Sequence, residues 1–299
     1  MKEVKFFFCY YRGGIMNLEN LKILFRKGNP MERKEIYQAV TEIFAACELN
    51  YVKEEVVIQP SLSGLKMFEE PLVKFGSATD ELFQKYKEEG VIGPWFDTPN
   101  VWLPEGKTVI SLFFPFTEAV RESNRKCTEI PSSEWLHGRI EGQACLTEFM
   151  KRLKDWFEKN GVSACVPSND PRFHQVIENG VYGSNWSERH VAYLCGLGTF
   201  GLSKGIITEK GMAGRFMSII ISQEIQPDER PYTGIYDYCT KCGACIKRCP
   251  AQAISMEKGK EHAPCDAWNK KIGKMHAPRF GCGLCQVKVP CESKIPAKL

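Results

Sequence analysis

The chain has 299 residues, of which 43% are hydrophobic and 25% charged, with a formal net charge of +4 at pH 7. That balance belongs to a globular protein with an ordinary core and excludes global disorder, collagen and coiled coil. Cysteine stands apart: of 14, eight fall between Cys239 and Cys291, and the other six (Cys9, Cys47, Cys127, Cys145, Cys165, Cys195) are scattered. A disulfide scaffold needs a short secreted chain with cysteines throughout, so the crowding points to metal or redox chemistry in a reducing compartment.

Residues 1–30 show no sustained periodicity and end in Lys27-Gly28-Asn29-Pro30, just before a second methionine, Met31; a poorly ordered extension is expected. The apolar run from Phe6 to Tyr11 is too short for a signal peptide, and no apolar run elsewhere has the length of a membrane span, so a cytoplasmic protein is expected. From 31 to 49, Ile36, Val40, Ile43, Phe44 and Cys47 recur at helical spacing and predict an amphipathic helix. Loops rich in Pro and Gly follow up to Pro104. The run from Thr108 to Phe114 reads as a buried strand, and a helix over 141–160 presents Leu146, Phe149, Met150, Leu153 and Phe157 on one face before Gly161 stops it. Val162 to Val166 is a short strand. Ser187-Glu188-Arg189 opens a helix through Leu194, with Glu188 and Arg189 expected to pair at its start. Strands over Gly205–Thr208 and Phe216–Ser222 complete an α/β or α+β unit of residues 31–230, closed by the linker Gln226 to Pro231, with residues 231–299 as a second unit.

The second unit carries the chemistry. Cys239-x-x-Cys242-x-x-Cys245-x-x-x-Cys249-Pro250 has the spacing in which three thiolates grip one four-iron cluster while the fourth reaches another. Gly243 permits close approach and Pro250 turns the chain away. Cys265, Cys282-x-x-Cys285 and Cys291 follow. With two [4Fe-4S] clusters, Cys249 joins Cys265, Cys282 and Cys285, while Cys291 closes the first set with Cys239, Cys242 and Cys245. A zinc site of Cys265, Cys282, Cys285 and Cys291 is the alternative for the second set. Residues 239–299 hold 12 Lys and Arg against 4 Asp and Glu. Each oxidised four-iron cluster with its thiolates carries roughly −2, so two would cancel about half of this excess, and the basicity argues only weakly for nucleic acid.

Upstream, Gly196-x-Gly198-x-x-Gly201 has the form of a dinucleotide fingerprint but the wrong surroundings, because a helix precedes it and a strand follows. Arg215 is a candidate for holding a phosphate or carboxylate, a solvated turn arginine being the plainer reading. The five histidines show no metal spacing.

The order of these segments resembles epoxyqueuosine reductase and, more distantly, the corrinoid-dependent reductive dehalogenases. The carriers run from Leu103-Pro104 through Ser187-Glu188-Arg189 and Gly196-Leu197-Gly198-Thr199-Phe200-Gly201 to the cysteine motifs and Cys282-Gly283-Leu284-Cys285-Gln286. The resemblance implies an α+β, nitroreductase-like cobalamin-type domain followed by a two-cluster ferredoxin-like domain. It implies that the clusters feed electrons to a cobalamin, with Gly196 and Gly198 beside the cofactor, and that Tyr182 stands where a proton donor acts; an ordinary loop aromatic is the plain alternative. The family's last motif is C-x-x-C-Q-x-x-C-P, whereas here Val289 takes the cysteine position and the thiol comes two residues later as Cys291. The lysine after the glycine turn is Leu202 here, with Lys204 two positions on. No helical repeats follow the last cysteine, so tRNA is not an expected partner. The resulting expectation is a reductase that passes single electrons from reduced ferredoxin or flavodoxin through two clusters to a corrinoid and an unidentified small substrate. The alternative is an electron-transfer or corrinoid-reducing protein without substrate chemistry, with epoxyqueuosine reduction third. A corrin-sized cavity favours the first and an occluded one the second.

Overall fold

The structure, a computed structural model, describes residues 30–178 and 181–297, so the extension expected over 1–30 lies outside the described residues apart from Pro30. The helices are α1 (Arg33–Ala45), α2 (Leu82–Lys85), α3 (Pro99–Trp102), α4 (Glu118–Arg125), α5 (Ser133–Lys159), α6 (Glu188–Leu194), α7 (Ala244–Lys247) and α8 (His262–His276). The strands are β1 (Leu72–Ser77), β2 (Thr108–Pro115), β3 (Ala164–Cys165), β4 (Gln175–Glu178), β5 (Val181–Ser184), β6 (Gly198–Phe200), β7 (Ile206–Thr208), β8 (Gly214–Ile221), β9 (Ile254–Ser255) and β10 (Gly259–Lys260). Four of them make one antiparallel sheet in the order β1-β2-β8-β3, and the rest pair as three hairpins. The chain is thus a mixed α/β protein.

The apolar run of β2 has a two-sided cause. Its alternate residues Ile110, Leu112 and Phe114 pack in one core with Val40 and Phe44 of α1 and Phe149 and Leu153 of α5. The intervening Val109 and Phe113 pack on the other face with α6, through Val191, Leu194 and Ala192. A strand covered on both faces cannot alternate apolar with polar residues, which is why it reads as continuous.

Several elements differ from the sequence expectation, among them α4 and α8, which it did not assign. Helix α5 begins eight residues early, at Ser133, where the Ser132 hydroxyl accepts from the Trp135 backbone N–H at 3.1 Å. Its first turns contain Gly138 and Gly142, poor helix formers that let Phe116 and Phe68 lie against the helix backbone. Strand β1 and the β4–β5 hairpin fall in segments without clear alternation. Finally, Gln226 to Pro231 is packed rather than free. Asp228 accepts from the Phe75 N–H at 2.8 Å and pairs with Arg33 at 2.7 Å, and Arg230 meets Asp80 at 3.0 Å.

The cysteine-rich region is packed against α4 and the segment around β7. Arg248 donates to the Cys127 and Asn124 carbonyls at 2.8 and 3.2 Å, and Arg125 of α4 pairs with Glu292, which is only 5% exposed. Leu202, Ile207 and Met212 share a core with Cys245, Ile254 and Val289.

Candidate metal centre

Short turns aim the thiols. Gly243 (φ 71°) precedes α7, and Gly283 (φ 64°) precedes the single turn Leu284–Gln286; both are left-handed positions that glycine adopts without strain. Cys265 sits on the first turns of α8, and Cys249 just beyond α7 receives the Ala253 N–H on its sulfur at 3.3 Å.

The eight cysteines divide into two sets around two cavities. Cys239, Cys242, Cys245 and Cys291 line a cavity of about 20 Å³ whose other walls include Leu202, Ile207, Val289 and Pro296. Cys249, Cys265, Cys282 and Cys285 line a cavity of about 220 Å³, together with Arg139, Arg215, Lys260, Trp135, Trp268 and Phe280. Charge interactions follow the same division at Cys291 and Cys282. Burial pushes the Cys291 thiol up to about 12, and Cys245, Cys239 and Cys242 push the same way. Burial likewise carries Cys282 to about 12, with Cys285, Cys265 and Cys249 as its sulfur neighbours. Cys245 rises to about 11 through burial, and its first-ranked sulfur neighbour is Cys285 of the other set, so the two sets lie close to each other. Cys291 also directs its thiol at the Met212 sulfur, 3.3 Å away, while Val289 is part of the apolar wall. Among the described residues no three His, Cys, Asp or Glu side chains are drawn together tightly enough to hold one ion.

Lys260 lines the larger cavity and reaches the Cys265 sulfur. Burial pulls its amine down, but the Cys285 and Cys265 sulfurs outweigh burial and hold it raised. Asn269 also directs its amide at Cys265, at 3.7 Å. Arg215 is half-buried on β8 with its Nε enclosed, and burial disfavours its charge, as does neighbouring Arg139, so it is not the solvated turn residue of the plainer reading. Arg139, Lys260, Trp135 and Trp268 are site residues that sequence reasoning missed. The arginine and Trp135 lie in the part of α5 that was not assigned as helix, and Lys260 looks like any other basic residue of its region.

Other expected site residues lie elsewhere. Tyr182, on β5, donates to the Asp266 carboxylate at 3.3 Å and stacks on His262 with ring centres 5.3 Å apart; it is not among the residues lining either cavity. At Gly196 and Gly198 the lack of a side chain serves the chain's own packing. A Cβ at Gly196 (φ 90°) would lie 2.8 Å from the Glu229 carbonyl, and one at Gly198 would run into the Ile207 backbone. Glu188 and Arg189 do not pair with each other. Arg189 donates to the Lys204 carbonyl at 2.6 Å, while Glu188 is buried and raised to about 7 by burial. Ser168 and Ser218 temper that shift, although no hydroxyl reaches hydrogen-bonding geometry with its oxygens. Among the described residues no helix is long and apolar enough to cross a membrane.

Residues 232–255, which include Cys239, Cys242, Cys245 and Cys249, match the family described as 4Fe-4S binding domain. The chain contains a ferredoxin-like iron–sulfur region. Over 98 residues, 31% of this chain, it is 34% identical to the tetrachloroethene reductive dehalogenases of Desulfitobacterium hafniense and Dehalobacter restrictus. It spans 18% of the length of those relatives. Among solved structures, epoxyqueuosine reductase with a modified tRNA stem loop aligns at a TM-score of 0.49 and 15% identity, over 86% of this chain and 66% of that one. A catabolic reductive dehalogenase aligns at 0.48 and 12%, over 88% of this chain and 37% of the other.

Proposed function

We propose that the protein is an iron–sulfur reductase whose two cysteine sets each hold a [4Fe-4S] cluster. Cys239, Cys242, Cys245 and Cys291 would hold the first, and Cys249, Cys265, Cys282 and Cys285 the second. The observation that carries this reading is the division of eight cysteines into two sets of four around two neighbouring cavities. Thiols spread around a cavity suit a cuboidal cluster better than a single zinc ion, which draws four sulfurs onto one point. When bound, the clusters supply one-electron storage and transfer, with reduced ferredoxin or flavodoxin as the proposed source. The protein's own part is to hold the thiolates, to place Leu202, Ile207 and Val289 beside the first set, and to place the cations Lys260, Arg139 and Arg215 around the second.

A corrinoid draws support from the dehalogenase likeness but not from the cavity. About 220 Å³ is below the roughly 300–1,000 Å³ of ordinary small-molecule pockets, and a corrin macrocycle does not fit beside the second set. Tyr182 faces Asp266 rather than this space, so no proton transfer is assigned to it here. The same small volume favours the second reading, an electron-transfer protein without substrate chemistry of its own.

Anaerobic reconstitution followed by iron and sulfide analysis tests the proposal. About eight irons and eight sulfides per chain are expected, and four irons with one zinc would refute the two-cluster assignment. Titration of the same sample with cob(II)alamin is expected to leave the corrinoid spectrum unchanged; tight binding would restore the corrinoid mechanism.

A further inference from the structure

Two cysteines outside the cysteine-rich region lie against each other. Cys47 follows the end of α1, Cys145 sits in the middle of α5, and their sulfurs are 3.5 Å apart in the core that also holds Phe44 and Phe149. Neither lines either cavity. The other described cysteines of residues 31–230 point elsewhere, Cys127 and Cys195 at the Ser123 and Val109 carbonyls and Cys165 at the Asp170 carboxylate.

The surroundings make the two thiols unequal. Cys145, Glu148 and Arg152 follow one another at spacings of three and four and so share a face of α5, from which Arg152 donates to the Ala46 carbonyl at 3.4 Å. Cys47 thus has a neighbouring S–H on one side and a guanidinium nearby. The hydrogen bond from Cys145 lowers the Cys47 thiol and raises that of Cys145, and Arg152 lowers Cys47 further against the opposing effect of burial. The thiolate is the attacking species in thiol–disulfide exchange, which makes Cys47 the nucleophile and Cys145 its resolving partner. Both are buried, but Ala46 and Glu48 on either side of Cys47 are exposed, and the segment is a helix end followed by the single turn Glu48–Asn50. Such a segment opens locally at low cost.

We infer that Cys47 and Cys145 are a redox-active pair that closes to a disulfide, tying the end of α1 to the middle of α5. The oxidant is a low-molecular-weight disulfide. The Cys47 thiolate attacks one of its sulfurs, giving a mixed disulfide and releasing one small thiol. Cys145 then gives up its proton and attacks the Cys47 sulfur, so that the protein S–S bond forms and the second small thiol leaves. The protein loses two electrons and two protons, and the small disulfide takes up both. An S–S bond is about 2 Å long, so the sulfurs have roughly 1.5 Å to close. The link joins positions 98 apart in the chain and would hold the α1–α5 contact against opening. None of this depends on the two-cluster reading.

Anaerobic incubation of the reconstituted protein in mixtures of 2-hydroxyethyl disulfide and 2-mercaptoethanol, then acid quench, alkylation and non-reducing peptide mass spectrometry, reads the pair directly. The ratio of linked Cys47–Cys145 peptide to alkylated peptides is expected to rise about tenfold for each tenfold rise in disulfide over thiol squared, and to fall again when thiol is restored. Cys145→Ser is expected to stop at a mixed disulfide on Cys47, and Cys47→Ser to leave Cys145 as a thiol. Recovery of both residues as thiols in the most oxidising mixture, or a link that forms only after denaturation in urea, would overturn the inference and leave two core thiols in simple contact.

Discussion

The first cysteine set lines a small, mainly apolar space and the second a larger, cationic and aromatic one. Around Cys239, Cys242, Cys245 and Cys291 the chain supplies Leu202, Ile207 and Val289 and leaves about 20 Å³. Around Cys249, Cys265, Cys282 and Cys285 it supplies three cations, aromatic rings and about 220 Å³. The same four-thiol arrangement thus sits in two different surroundings, one mainly apolar and one cationic and aromatic. Cations beside a thiol-lined space stabilise added negative charge there, and an apolar lining does not.

The largest test of this contrast removes one side of it. Cys265→Ala is expected to lower iron from about eight to about four per chain while the signal of the first centre persists, as read by iron analysis and electron paramagnetic resonance. Loss of both signals would mean that the sets are not independent.

Next is a matched pair of glycines. Gly243 and Gly283 have nearly the same left-handed φ, but a Cβ at Gly243 would meet only Ile246 at 3.8 Å, whereas one at Gly283 would land on the Trp135 ring. Gly283→Ala should cost about 3 kcal/mol or more and Gly243→Ala about 1 kcal/mol, measured by denaturant unfolding. Equal costs would show that Trp135 does not wall the second cavity.

The loop that brings Cys291 to the first set is anchored by Arg125 on Glu292. Glu292 also accepts from the Lys288 N–H at 2.7 Å. Arg125→Met strands a buried carboxylate and should destabilise the protein by about 2–3 kcal/mol, with the first centre losing iron before the second.

The smallest expected effect is electrostatic. Lys260→Met removes a positive charge beside Cys265 and should make the second centre harder to reduce, by about tenfold in the reduction equilibrium, or about 60 mV for one electron. The first centre should keep its potential in the same redox titration. A shift of both by the same amount would mean that the two surroundings are not electrically distinct.

Much of this was legible before folding. Cysteines two and three residues apart present their sulfurs within a turn or two whatever the rest of the chain does, so Cys239, Cys242, Cys245 and Cys249 announce a cluster-type region from local geometry alone. The run of β2 is equally local, since burial on both faces leaves one pattern to write. Helix α5 was half legible, because Gly138 and Gly142 weaken the helical signal that packing against Phe116 and Phe68 restores.

What only the tertiary structure decided is how the cysteines divide and what faces them. Arg139 comes from the first turns of α5, Arg215 from β8 and Lys260 from β10, and nothing in their local sequence marks them as neighbours. They meet because α5 crosses the sheet that contains β8 and the cysteine region docks over both, through Arg125, Arg248 and the shared core around Met212. Spacing along the chain sets the thiols, but the volume and charge of a cavity are sums over side chains from distant segments, and only packing brings those segments together.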